Sequence, residues 1–222
     1  LVVNWEFIGA VVSRWIATVP PSSQLGFPKG CGKTRTASEI AKTKIEFQDE
    51  EKRDYYLQLA NNHPLKLLEG EKPILFDEWQ DAPKIWGAIR KDSDDHPENV
   101  GEYFLTGSSS KKVKTPHTGT GRISELTMYP MSLYETGESN GKISITKIIS
   151  DDNYDIDGVS CELELEQLFF AVCRGGWPRC LALEKDKAKL GIATDYYNQI
   201  CLYKYYFVLL VLIEYRNLLK IK

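Results

Sequence analysis

Residues 25–34 of the chain read LGFPKGCGKT. A phosphate-binding loop consists of a glycine, four further residues and then Gly-Lys-Ser or Gly-Lys-Thr. Residues 32–34 supply the end of this pattern, whereas Phe27 stands where the first glycine belongs and Gly26 lies one place too early. The stretch therefore fits a working nucleotide site, a damaged one, or an ordinary turn before a helix.

Composition limits the classes of protein to which the chain can belong. Of its 222 residues, 42% are hydrophobic and 27% charged, so it can bury a core and is not a disordered chain. The net charge is −3 and no strongly basic block stands out, which argues against nucleic acid as a partner.

Cysteine spacing and hydropathy indicate a cytoplasmic protein without a membrane span. The five cysteines are scattered and form no CxxC pair, a pattern typical of reduced thiols. The longest apolar run, Tyr205 to Ile213, is too short to cross a bilayer, which takes about 20 residues.

Strand-like and helix-like segments alternate through the first two thirds of the chain. They predict an α/β fold with a mostly parallel sheet sandwiched by helices. We expect strands within 44–48, 72–79 and 101–110, helices within 35–42, 49–62 and 81–95, and a strand, turn and helix within 121–135.

The remaining segments suggest how the chain is divided. Residues 1–136 are expected to form the core, 137–160 a polar linker or insertion, and 201–222 an atypical apolar tail. Residues 161–200 predict a small C-terminal helical appendage, broken at Gly175-Gly176 and near Pro178.

Three chemical features follow one another in the order that a nucleotide site needs. Lys33 would reach the β- and γ-phosphates, and the Thr34 hydroxyl would ligate Mg²⁺. Asp77 ends a buried strand and would hold the metal, while Glu78 would orient and polarise the attacking water. The alternative for these two acids is a strand followed by a solvated acidic turn.

The third feature is the strand FLTGS, residues 104–108, which ends in hydroxyl groups. In P-loop ATPases with an additional strand, a polar residue at this place senses the γ-phosphate and the water. Thr106 and Ser108 are the candidates, and an ordinary Thr-Gly turn is the alternative.

Taken together, the motifs resemble those of bacterial and archaeal AAA+-type ATPases that usually carry a C-terminal domain of unknown function with a nuclease-like fold. The resemblance covers about residues 28–200 and implies a RecA/AAA-like sheet, binding of ATP and Mg²⁺, ATP hydrolysis and a cytoplasmic setting. It is carried by PKGCGKTRTASEIAK, LFDEWQDAPKIW, FLTGSS, GTGRISELTMYPMSLYETGES and CRGGWP.

The resemblance also implies roles for individual residues. Arg122 matches an arginine near the nucleotide or a subunit boundary, where it could neutralise charge on the transferring phosphoryl group. Arg174 could sense the nucleotide from the helical appendage. The alternative for Arg122 is an ordinary surface arginine, and the alternative for Arg174 is a role without nucleotide contact. The cofactor-binding set is Lys29, Gly30, Cys31, Gly32, Lys33, Thr34 and Arg174; the catalytic set is Glu78, Thr106, Ser108 and Arg122; the metal ligands are Thr34 and Asp77.

Two places depart from the family pattern. The family has an apolar strand directly before the loop, but TVPPSSQLGF intervenes here, and GAVV (9–12) looks like that strand displaced upstream. Similarity also stops near Ile200, so both ends look truncated or out of frame around an intact middle. The alternatives to an ATPase are a nucleotide-binding switch or interaction module with little turnover, and a decayed inactive fragment. A protein partner or homo-oligomer stays open.

Replacing Phe27 by glycine restores the full loop pattern and should tighten ATP binding. A strained backbone at a non-glycine residue costs on the order of 1–3 kcal/mol, which corresponds to roughly five- to a hundredfold in affinity. Calorimetry with Mg²⁺ present measures the difference between Phe27→Gly and wild type. Micromolar binding by wild type with no gain in the variant would contradict the prediction, and no binding by either would favour the inactive fragment.

Overall fold

A single parallel sheet organises the chain. The computed structural model describes residues 22–26, 30–107, 119–199 and 201. Its five strands lie in the order β2-β3-β4-β1-β5, and every neighbouring pair is parallel. The strands are β1 (Ser22–Gly26), β2 (Thr43–Glu46), β3 (Ile74–Asp77), β4 (Tyr103–Thr106) and β5 (Ile123–Thr127).

Helices alternate with the first strands and then dominate the end of the described chain. The helices are α1 (Lys33–Ile40), α2 (Arg53–Asn62), α3 (Lys84–Asp95), α4 (Ile145–Ser150), α5 (Leu165–Arg174), α6 (Pro178–Leu181) and α7 (residues 186–199), with 3₁₀ turns at Pro64–Leu68 and Trp79–Asp81. The predicted break at Gly175-Gly176 is confirmed, because α5 ends at Arg174 and α6 begins at Pro178. None of the described helices is both long enough and apolar enough to cross a membrane.

Strand β3 shows why both faces of the sheet are covered. Successive side chains of a strand point to opposite faces. Ile74 and Phe76 pack in the cluster with α2 and α3, whereas Leu75 packs in the smaller cluster with Ala37 of α1. All three β3 residues are fully buried. This arrangement confirms the predicted α/β architecture, a parallel sheet between helices.

Trp79 and Trp86 belong to the larger cluster. Their rings stack with centroids 5.0 Å apart, and both side chains are buried.

The strand before the phosphate loop corrects one prediction. Strand β1 follows Pro21 directly and pairs with both β4 and β5, so Ser22–Gly26 takes the place that we had predicted for a displaced strand at 9–12. Residues 9–12 lie outside the described residues. The two prolines precede the strand in sequence and do not interrupt it. Hydrogen bonds to the strands on both sides stabilise this segment as a strand although its sequence is polar.

A second correction concerns the helix expected at the end of 121–135. Residues 128–137 form no helix; turns follow β5 and are closed by Glu138 N–H, which donates to the Leu133 carbonyl over 2.9 Å. Pro130 disfavours the helical conformation for Tyr129, the residue before it. Met131 N–H donates instead to the carbonyl of Gly176 over 2.7 Å, which ties this segment to the helical appendage.

The contact between Gly176 and Met131 predicts opposite effects for two glycine substitutions. A Cβ at Gly176 would overlap the Met131 carbonyl oxygen and lie 2.8 Å from its nitrogen, whereas a Cβ at Gly191 in α7 would meet nothing within 4 Å. Gly176→Ala should destabilise by about 1–3 kcal/mol through overpacking. Gly191→Ala should stabilise by roughly 0.5–1 kcal/mol, because alanine favours helix. Thermal unfolding followed by circular dichroism compares them, and equal midpoints would contradict the described contact.

Candidate functional site

The carboxyl ends of three strands meet at one edge of the sheet. Thr106, the last residue of β4, is in register with Asp77 of β3 on one side and with Leu25 of β1 on the other. Helix α1 begins at Lys33, soon after β1 ends. The topology therefore gathers the candidate phosphate loop, the strand acids and the candidate sensor strand at the same edge.

A carboxylate oxygen of Asp77 joins these elements. Asp77 Oδ1 accepts a hydrogen bond from Thr34 Oγ1 over 2.7 Å and a second, short one from Thr106 Oγ1. Thr106 is almost fully buried. One carboxylate thus connects the first turn of α1 with the ends of β3 and β4.

Two glycines shape the described part of the candidate phosphate loop. Gly30 and Gly32 have left-handed φ angles of 79° and 102°, which glycine adopts without steric cost. Gly32 caps α1, and its carbonyl accepts from Thr36 N–H over 2.8 Å. The N-terminal N–H groups of a helix that follows such a loop form a favourable place for phosphate. Cys31 and Lys33 are buried within the same loop.

Glu78 has an unusual backbone. Its φ of 53° makes it the sole non-glycine residue with positive φ in the part of the chain that the structure describes. A left-handed torsion at such a residue costs on the order of 1–3 kcal/mol and persists where surrounding contacts fix it. Gln80 Nε2 donates a short hydrogen bond to Glu78 Oε2 and helps to fix the carboxylate.

Sequence reasoning missed Gln80. Its side chain is buried, and its amide oxygen lies against Gly107 at the end of β4, where a Cβ would overlap it. The available signal was a glutamine two residues after Glu78 in the stretch DEWQD. A glutamine at this place is equally common in an ordinary polar turn, so the sequence alone did not identify it.

The donor set fits Mg²⁺. The Thr34 hydroxyl and the Asp77 carboxylate offer hard oxygen ligands only 2.7 Å apart. Within the described ranges, no group of three or more His, Cys, Asp or Glu residues could hold a metal. Mg²⁺ suits this arrangement, because it is usually held by one or two protein oxygens together with water and substrate phosphates.

Arg122 lies at the opposite edge of the sheet. It directly precedes β5, whose first residue is in register with Ser22 at the amino end of β1. Its guanidinium pairs with Asp94 near the end of α3. A five-residue strand spans about 13 Å, so the structure does not bring Arg122 to the phosphate loop of its own chain.

Arg174 is nearly fully buried and is held by Glu138. Two parallel hydrogen bonds of 2.9 Å join its Nη1 and Nη2 to the two carboxylate oxygens, and its Nε donates to the Gly175 carbonyl over 3.1 Å. Such a bidentate pair is strong and directional. The structure therefore places Arg174 in an anchor between α5 and the segment after β5.

The residue of the CRGGWP motif that does reach the loop is Trp177, which sequence reasoning did not select. Its indole lies against Gly30, 147 positions earlier in the chain. Such a long-range contact has no signal in local sequence. Lys29 and Ser108, two of the predicted site residues, lie outside the described residues.

Comparison with known proteins relates this part of the chain to a known domain family. The family model described as AAA domain matches residues 26–137, about half of the chain, and so covers the loop and all five strands except the first four residues of β1. No curated protein matches the chain.

Burial of Cys31 leads to a prediction about its reactivity. Burial raises the pKa of the Cys31 thiol, and the nearby Lys33 charge offsets this only in part. Because the thiolate is the nucleophile, Cys31 should react with iodoacetamide at pH 7.5 at least about tenfold more slowly than the exposed Cys161 and Cys173. Mass spectrometry of timed, quenched samples measures the three rates. Equal labelling rates would show that the loop does not bury this thiol.

Proposed function

Since the chain belongs to the AAA domain family, we propose that it binds ATP together with Mg²⁺ and hydrolyses the bond to the terminal phosphate. The observation that carries the proposal is the pair of hydrogen bonds from Thr34 and Thr106 to Asp77. They bring together the three elements to which we assign phosphate binding, metal binding and sensing of the γ-phosphate.

Binding is assigned to the loop and the first turn of α1. The backbone N–H groups of residues 30–34 would surround the phosphates, Lys29 would lie beside them, and Lys33 would contact the β- and γ-phosphates. Thr34 and Asp77 would hold Mg²⁺. When bound, the metal neutralises charge on the phosphate oxygens.

Turnover is assigned to Glu78 and the end of β4. Glu78 would accept a proton from water as the water oxygen bonds to the γ-phosphorus, and the bond from that phosphorus to the ADP oxygen breaks. Thr106, and Ser108 two residues later, would orient the water and the γ-phosphate. Gln80 would keep the Glu78 carboxylate at the edge of the sheet, because the two side chains are hydrogen-bonded.

A second candidate function is a nucleotide-binding switch with little turnover. The hydrogen bond from Gln80 occupies an oxygen of the Glu78 carboxylate that would act as the base. Phe27 also stands at the first loop position in place of glycine. Measuring both ATP affinity and phosphate release distinguishes a switch from an ATPase and from an inactive fragment.

Several more detailed predictions from the sequence are proposals in the same way as the ATPase function. They are the boundaries of the core, linker, appendage and tail, a cytoplasmic location, a protein partner or homo-oligomer, and the nuclease-like domain that accompanies such ATPases. Arg122 could serve a neighbouring subunit if the chain assembles, since it lies away from its own loop. Arg174 would act on the site only through the segment that it anchors.

Replacing Glu78 by glutamine should separate binding from turnover. The amide keeps the shape of the side chain but cannot take the proton, so phosphate release should fall about a hundredfold or more while ATP affinity stays within a few-fold. Glu51→Gln, at an exposed acid before α2, is the matched control and should behave as wild type.

Lys33→Ala serves as the reference for lost binding in the same experiment, because it removes the cationic contact to phosphate. Phosphate release by Glu78→Gln at the wild-type rate would remove Glu78 from the mechanism. Equal ATP affinity in wild type and Lys33→Ala would show that ATP does not bind at this loop.

A further inference from the structure

The turn Gly175-Gly176-Trp177 between α5 and α6 is fixed to the segment that follows β5. Arg174, just before the turn, holds Glu138 through two hydrogen bonds of 2.9 Å. The Gly176 carbonyl accepts from Met131 N–H over 2.7 Å. Gly176 also lies so close to the Met131 backbone that no larger residue fits there. The turn therefore has little freedom to move relative to the core.

From this fixed turn the indole of Trp177 reaches the phosphate loop. A Cβ placed at Gly30 would lie 3.2 Å from Trp177 Cδ1 and 3.6 Å from Nε1, so the ring edge lies beside Gly30, where a side chain would project. The indole also packs against Tyr196 of α7, with ring centroids 4.5 Å apart. The aromatic pair supports the loop from the helical appendage.

A contact at Gly30 restricts the most flexible kind of residue in the loop. Its φ of 79° is one of many conformations open to glycine, and ordering a glycine costs more conformational entropy than ordering any other residue. A loop that samples several conformations binds its ligand with an affinity reduced by the fraction of competent molecules.

We propose that Trp177 is a positioning residue, which holds Gly30 in the phosphate-binding conformation and couples the helical appendage to nucleotide affinity. The inference rests on the proposed ATP site. Since coupling between two sites is reciprocal, ATP would in turn stabilise the packing of Trp177 and Tyr196. A partner or second copy that displaces Tyr196 of α7 from Trp177 would thereby change ATP affinity without touching the nucleotide.

The test compares Trp177→Ala with Trp177→Phe, which keeps a flat ring, and with Tyr196→Ala. Tyr197→Ala is the matched control, because this neighbouring side chain is exposed. Two quantities are measured for each full-length variant: amide hydrogen exchange of residues 30–34 without nucleotide, and ATP affinity with Mg²⁺ by calorimetry.

We expect Trp177→Ala to speed exchange of these amides and to weaken ATP affinity roughly tenfold, with the maximal rate of phosphate release kept within about twofold. Trp177→Phe should bring both the exchange rate and the ATP affinity close to their wild-type values. Tyr196→Ala should change both quantities less than Trp177→Ala does, and Tyr197→Ala should change neither.

Unchanged exchange and affinity in Trp177→Ala would overturn the proposal. So would exchange that rises equally across the whole sheet in both Trp177 variants, because that pattern indicates general destabilisation. Faster exchange confined to residues 30–34, with no ATP binding by wild type, would support the positioning role and reject the ATPase function.

Discussion

The hydrogen bonds from Thr34 and Thr106 to Asp77 are the interaction on which the rest of the site depends. They form only if β4 lies between β1 and β3 and if α1 starts soon after β1. The strand order β2-β3-β4-β1-β5 satisfies both conditions. Because the topology brings these residues together, the Asp77 carboxylate and two hydroxyl groups lie beside the candidate phosphate loop.

At the amino ends of β3 and β4, side-chain contacts fix the register between the two strands that this cluster requires. Lys72 Nζ, just before β3, pairs with Glu102 just before β4 over 2.5 Å, and Tyr103 donates to Asp92 of α3 over 2.6 Å. Burial alone would lower the pKa of Lys72, but its hydrogen bonds to Glu102 and Tyr103 outweigh burial and raise it. The lysine therefore stays charged, and β3 and β4 are fixed at both ends.

Sequence predicted the parts of this account that depend on local patterns. The apolar run before Asp77 and Glu78 indicated a buried strand, and Gly32-Lys33-Thr34 indicated a loop before a helix; both are present. It failed for β1, because the polar residues of that strand are selected by pairing on both sides. It also gave no sign of the pairing of Arg174 with Glu138, of Gln80 with Glu78, or of Trp177 against Gly30, which all depend on tertiary contacts.

We propose that Asp77 and Thr34 form a metal-dependent ATP site, and the Mg²⁺ dependence of ATP affinity tests this proposal most directly. Calorimetric titration of wild type and Asp77→Asn, each with Mg²⁺ and with a chelator, gives four affinities. We expect Mg²⁺ to tighten ATP binding by wild type and to have much less effect on Asp77→Asn, because a neutral amide binds a hard cation more weakly than a carboxylate does. The same tightening by Mg²⁺ in both proteins would contradict it.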